Sequence, residues 1–171
     1  MRYKGFTVHA PLLLGGEDGE AEILGAAVWL WMHSDMHRDA PLHVLPLVLL
    51  PVIKRRQYVL VQEGDRPVCF LSWAWMDESM ERRYLNHGVL SLPEAAWCCG
   101  ERMWFRDFIA PFGHVPQMFR LLREEIFPHH IARLLWHRGG DKGRQIKTFY
   151  GRRVTVDEIR QWKQAYPLSQ Q

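Results

Sequence analysis

With 171 residues, 47% of them hydrophobic, the chain has the length of one domain and enough apolar material for a core, so no second folding unit is expected. A formal net charge of +3 comes with no helix-turn-helix, zinc-finger or RNP-like signature, so no nucleic-acid partner is expected. Cys69, Cys98 and Cys99 cannot all pair and lack metal-ligand spacing, and the longest apolar run, Pro41 to Ile53, is short and interrupted by His43 and three prolines; a disulfide scaffold, a metal and a membrane span are therefore not expected.

Residues 1–19, with Gly15-Gly16-Glu17-Asp18-Gly19, show no sustained periodicity and read as a variable arm. Arg2 and Lys4 precede only a short apolar run at Leu12 to Leu14, less than a signal peptide needs. From Glu20 to about Ser34, apolar residues at Ile23, Leu24, Ala27, Val28, Leu30 and Trp31 recur at helical spacing. Pro41 to Ile53 reads as a second, more buried helical segment punctuated by Pro46 and Pro51. Gln57 to Gln62 and Pro67 to Met76 are rich in β-branched and aromatic residues around Glu63-Gly64-Asp65-Arg66, which predicts a β-hairpin. Asp77 to Leu85 is a short charged helix with Asp77 as N-cap, and Arg102 to Ala110 a central strand. Pro116 to Ile126 is helical, with Pro128 just past its end. His130 to His137 and Gln145 to Tyr150 form a second hairpin about the turn Gly139 to Gly143, and Thr155 opens a last helix to Tyr166 with Glu158 completing a capping box. The order defines an α+β (mixed α/β) protein, organised as the arm, a single domain over 20–166 and a tail at 167–171.

Two stretches carry chemistry. Trp29 to Pro41 offers a hydroxyl, Ser34, three residues before an imidazole, His37; Trp104 to Gly113 offers a lone carboxylate, Asp107, inside an aromatic strand. Hydroxyl, imidazole and carboxylate are the groups that acyl transfer uses. Strand alternation places Phe105, Asp107 and Ile109 on one face and Arg106 on the other, and a carboxylate among apolar neighbours calls for a cation or donor. His37 is one such partner; an ion pair with Arg102 or Arg106 is the structural alternative. His33 and His37 make an H-x-x-x-H pair, but no Glu completes a zinc motif, and the same holds for His114 and the pair His129-His130. Neither an adjacent lysine nor a paired histidine accompanies Cys98-Cys99 to suggest a thiol mechanism.

The pattern W-L-W-x-x-S-x-x-H-R from Trp29, Leu50-Pro51 with Gln57-Tyr58, Pro67-Val68 with Ser72-Trp73-Ala74, Gly100 with Arg102, and W-F-x-D-x-I-A-P-F-G from Trp104 together resemble the RTX-toxin-activating lysine acyltransferases, from about Gly25 to Gly151. The resemblance implies a GNAT-like fold with a central, mostly antiparallel sheet flanked by helices. It implies a cytoplasmic enzyme, homodimeric and without a permanently bound cofactor. Such an enzyme takes a fatty acyl group from acyl carrier protein, as a phosphopantetheine thioester, and delivers it to internal lysines of an RTX protoxin, which activates the toxin. An acyl-coenzyme-A-dependent transferase acting on another substrate and a catalytically silent protoxin chaperone are the alternatives. The chain departs from the family pattern at Asp35, where proline is common, at Glu101 for aspartate, at Arg106 for an apolar residue and at Phe108 for tryptophan; Arg106 bears on the acyl pocket or the docking face.

On this reading His37 removes the proton of the attacking lysine, which is otherwise almost all ammonium at neutral pH. Asp107 holds the imidazolium and its tautomer. Ser34 orients His37 or the carbonyl, in preference to accepting the acyl group, because no nucleophile elbow surrounds it. Residues 1–110 hold eleven Lys/Arg against fourteen Asp/Glu, whereas residues 111–171 hold eleven against five, so the basic end suits an acidic carrier protein. The loop at Gly113 and His114, entering a helix, is the expected phosphate contact, with Arg120, Arg123, Lys142 and Arg144 as docking cations.

Overall fold

The computed structural model of the chain describes residues 1–137 and 144–168. Among the described residues seven strands form one sheet in sequential order, β1 (Arg2–Tyr3), β2 (Phe6–His9), β3 (Tyr58–Glu63), β4 (Arg66–Met76), β5 (Arg102–Ile109), β6 (Ile131–His137) and β7 (Arg144–Tyr150). The pairs β1–β2, β2–β3, β3–β4 and β6–β7 are antiparallel, while β5 and β6 run parallel through Trp104 opposite Arg133 and Phe105 opposite Leu134. With its helices this is the α+β, mostly antiparallel, GNAT-like architecture expected. Two compact units emerge from the internal contacts, one of residues Met1–Trp73 with Asp107–Phe119, the other of Ala74–Arg106 with the described residues from Arg120 onward.

In the first unit, the amino-terminal residues join the sheet. Strands of two and four residues are too short for alternation to reveal, which is why the sequence showed only an arm there. A four-residue helix, α1 (Pro11–Leu14), follows. The segment before the next helix is tied to the sheet through Asp18, whose carboxylate meets His9 Nδ1 at 2.9 Å and accepts from the Tyr58 hydroxyl at 2.8 Å. Burial, and then the Asp18 carboxylate, push the Tyr58 hydroxyl well above its ordinary pKa.

Helix α2 (Glu20–Met32) buries Ile23, Ala27, Leu30 and Trp31, a single stripe at helical spacing, and packs on α4 (Leu50–Lys54). Glu20 and Glu22 lie in its first turn, where the macrodipole favours anions. The segment expected as one helix over Pro41 to Ile53 is instead three short pieces: a 3₁₀ turn (Leu42–Val44), α3 (Leu45–Val48) and α4. Pro46 and Pro51 fall in the first turns of α3 and α4, where a missing N–H is tolerated. Strands β3 and β4 bury every residue from Tyr58 to Val61 and from Val68 to Ala74.

The second unit contains α5 (Glu78–His87), opened by Asp77, whose side chain accepts from Met80 N at 2.8 Å as the capping rule requires. The helix expected over Pro116 to Ile126 begins at Val115 as α6 (Val115–Leu121), in which the two units meet in sequence, and runs into a π-helical turn (Leu122–Ile126). The last helix, α7 (Val156–Ala165), has the full capping box of Thr155 and Glu158. The turn expected at 139–143 lies outside the described residues.

Within α5, Glu81 is fully buried, and it accepts from Arg102 at 3.0 Å, Trp104 Nε1 at 2.9 Å and Arg133 at 2.7 Å. The same arginines donate to the carbonyls of Pro167 and Tyr166, pinning the end of the chain beyond α7. Around this network Phe105 packs against Phe127 and Phe149 at centroid separations of 5.3 and 5.0 Å.

Candidate active site

Helix α2 ends at Met32, so Ser34 and His37 do not ride on a continuous helix. A turn takes over: the Ser34 carbonyl accepts from His37 N at 3.0 Å and from Arg38 N at 2.9 Å, while Ala40 N bonds back to His37 O at 2.9 Å. This turn returns the two side chains to one side. Ser34 Oγ and His37 Nδ1 lie 2.8 Å apart. The imidazole packs against the buried Trp31 ring, centroids 4.9 Å apart, so the preceding helix supports one side of it.

Asp107, from the far half of β5, approaches the opposite ring nitrogen, with Oδ1 3.6 Å from His37 Nε2. That separation is an electrostatic contact and too long for a hydrogen bond. Its other oxygen, Oδ2, accepts a 2.8 Å hydrogen bond from Ser72, a fully buried serine in β4. Side-chain exposures of 20% for His37 and 12% for Asp107 leave the imidazole reachable and the carboxylate shielded. All four residues belong to the first unit, and they form a continuous path Ser34, His37, Asp107, Ser72. Three were expected from the sequence. Ser72 was read only as part of a recurring motif; the signal that could have found it is a hydroxyl inside an otherwise apolar, wholly buried run.

The arginine alternatives for Asp107 are occupied in their own ways. Arg102 pairs with Glu81 at 3.0 Å and Glu78 at 3.5 Å. The Arg106 guanidinium stacks over Tyr84 at 4.2 Å and Trp97 at 5.2 Å, with Nε and Nη1 buried and unpartnered among the described residues.

A second aromatic cluster braces the carboxyl end of α2. His33 Nδ1 bonds to Trp29 O at 2.8 Å and its ring packs on Trp29 and Phe112; the Arg66 guanidinium lies 3.9 Å above Phe112. His33 is thus a packing residue. Cys99 has its thiol pKa raised, chiefly by burial, which disfavours the thiolate a nucleophile needs.

Of the residues expected to contact the donor, Gly113 adopts φ +84°, a left-handed conformation suited to glycine, shortly before α6. His114 sits edge-on to Phe6 and 3.9 Å from the Glu63 carboxylate. Arg120 and Arg123 are exposed; Lys142 and the side chain of Arg144 lie outside the described residues. Among the described residues no helix is long and apolar enough to cross a membrane.

A half-buried imidazole between a hydroxyl and a shielded carboxylate, on a mixed sheet of this order, is the equipment of an acyltransferase. The RTX toxin acyltransferase family model matches residues 17–150, and the chain belongs to that family. It is 40% identical over 156 residues to the protein-lysine palmitoyltransferase CyaC of Bordetella bronchiseptica, covering 90% of this chain and 83% of that protein. It is 36% identical over 133 residues to the RTX-I toxin-activating lysine-acyltransferase ApxIC of Actinobacillus pleuropneumoniae, covering 78% and 76%. With the protein-lysine myristoyltransferase HlyC of Escherichia coli the identity is 40% over 114 residues, covering 67% and 66%.

Proposed function

We propose that this protein acylates internal lysines of an RTX protoxin in the cytoplasm, as a homodimer, using acyl carrier protein as the fatty acyl donor. The observation that carries the reading is the Ser34–His37–Asp107 arrangement in a chain of the RTX toxin acyltransferase family.

Once the lysine ammonium has given one proton to solvent, aminolysis of a thioester by the neutral amine forms an amide N–C bond, breaks the C–S bond and must dispose of one further amine proton. Nδ1 of His37 faces Ser34 and Nε2 faces Asp107, so the proton reaches the imidazole through the Ser34 hydroxyl: the amine gives its proton to Oγ as the hydroxyl proton passes to Nδ1. Asp107 then balances the imidazolium. The same proton returns to the departing pantetheine thiolate, so the site ends as it began. On this reading Ser34 has a larger part than orientation alone.

The donor's acidity fits the excess of cations in residues 111–171, eleven Lys/Arg against five Asp/Glu. Arg120 and Arg123 are the exposed docking cations, with Lys142 and Arg144 completing the set by sequence, and the Gly113–His114 loop is the candidate contact for the pantetheine phosphate. Co-expression of a protoxin with and without this chain, followed by intact and peptide mass spectrometry, tests the reading. Fatty acyl mass on lysine only when the chain is present is the expected result; protoxin binding without added mass would make the protein a chaperone.

A further inference from the structure

Ser72 is the only hydroxyl in a run of β4 that is buried without interruption from Val68 to Ala74, and its own exposure is zero. A buried hydroxyl must find a partner or lose its hydration uncompensated. Its partner is Oδ2 of Asp107, at 2.8 Å. This contact does more than satisfy a hydroxyl.

We infer that Ser72 is a positioning residue for acyl transfer, which fixes the Asp107 carboxylate and through it the tautomer of His37. A hydroxyl that donates to Oδ2 obliges the carboxylate to accept there, and it fixes the rotation of the group so that Oδ1 is the oxygen presented to His37 Nε2. A carboxylate oxygen favours the proton on Nε2. Nδ1 is then a bare lone pair, and it faces Ser34 Oγ at 2.8 Å as an acceptor. The direction of the whole path is set from its buried end: Ser72 donates to Asp107, the Asp107 charge attracts the N–H to the Nε2 side of His37 across 3.6 Å, and Ser34 donates to His37. Loss of Ser72 removes the donor at Oδ2 and loosens the presentation of Oδ1, so the opposite tautomer, with Nδ1 protonated and unable to receive a proton from Ser34, gains population.

The activity arm of the test rests on the acyl-transfer reading; the spectroscopic arm does not. In the free protein, ¹⁵N chemical shifts of the neutral His37 imidazole should show mainly the Nε2–H tautomer, and Ser72→Ala should shift the population toward Nδ1–H. In steady-state acyl transfer, Ser72→Ala should lower kcat about 10–100-fold, the scale of a hydrogen bond to a charged group, with KM for the acyl donor unchanged. In an Asp107→Asn background the same substitution should change kcat less than about threefold, because residues acting as one unit are not additive. Ser72→Cys, with similar volume and a weaker donor, should fall between serine and alanine and replaces Ser72→Ala throughout if the latter does not fold. An unchanged tautomer population, or an equal loss of kcat in both backgrounds, would overturn the assignment. Failure of the wild-type protein to transfer acyl groups would instead remove the functional reading and leave the tautomer result to decide the role of Ser72.

Discussion

Nε2 of His37 faces Oδ1 of Asp107 across 3.6 Å, while Nδ1 is already engaged by Ser34. Both nitrogens are thus committed before any substrate arrives, and the imidazole is placed to take up a proton on one side while a charge waits on the other. His37→Ala is expected to lower acyl transfer by about 10²–10⁴, the usual loss for a general base, with the protein still folded. The ring keeps 20% of its side-chain surface exposed beside Trp31, so the space left by its removal is open to water. Circular dichroism and single-turnover transfer on the same preparation separate the two effects; a folded variant with wild-type turnover refutes the assignment.

Asp107→Asn preserves size and one acceptor but removes the charge that balances the imidazolium. Turnover should drop by on the order of 10²–10⁴ with a small change in melting temperature, as expected where a carboxylate serves an imidazole. A large drop in melting temperature, with the folded fraction fully active, would assign the carboxylate to the architecture.

The sequence made the first pair legible for a simple reason. A spacing of three residues brings side chains together in a helix or in a tight turn, so the contact of Ser34 with His37 survives the end of α2 at Met32. Asp107 was legible by alternation. Ser72 was not, because a strand buried on both faces shows no alternation to mark which residues turn toward the site. Glu81 was hidden for a related reason: it stands in a charged helix that reads as solvent-facing, and the arginines that make its burial tolerable are 21 and 52 residues away. Local pattern carries no information on such partners. β1 and β2 were lost because elements of two and four residues have no period.

That buried carboxylate gives a stability prediction. Glu81→Ala leaves Arg102 and Arg133 without their shared acceptor inside the second unit, and removing one partner of a buried ion pair costs about 3–5 kcal/mol. The denaturant midpoint should fall accordingly. Acyl transfer by the folded fraction should persist, since Glu81 belongs to neither the Ser34–His37–Asp107 path nor its unit. An unchanged midpoint would mean the two arginines are satisfied without it.

Donor docking by exposed cations predicts a salt-sensitive KM. Arg120→Glu with Arg123→Glu should raise KM for acyl carrier protein and flatten its dependence on ionic strength, because exposed charges are screened within about 10 Å at 0.1 M. Measuring KM from 50 to 300 mM salt, roughly one to two Debye-length halvings, decides this. A KM insensitive to both salt and the reversals moves the docking surface away from these residues.

Ser34 presents the sharpest alternative, since a hydroxyl 2.8 Å from an imidazole is arranged for nucleophilic attack as well as for proton relay. Two considerations favour the relay. A thioester donor, as proposed, is already activated toward an amine, so an intermediate ester gains nothing, and the residues around Ser34 lack the G-x-S-x-G elbow that exposes a nucleophilic serine. Ser34→Ala should therefore keep part of its activity, because a water or the amine itself can reach Nδ1 once the hydroxyl is gone. Wild-type protein incubated with labelled acyl carrier protein and no acceptor should carry no acyl mass after denaturation. A stoichiometric acyl group on Ser34 that chases onto the protoxin would establish a two-step mechanism, with Ser34 as the nucleophile and His37 as the base that activates it.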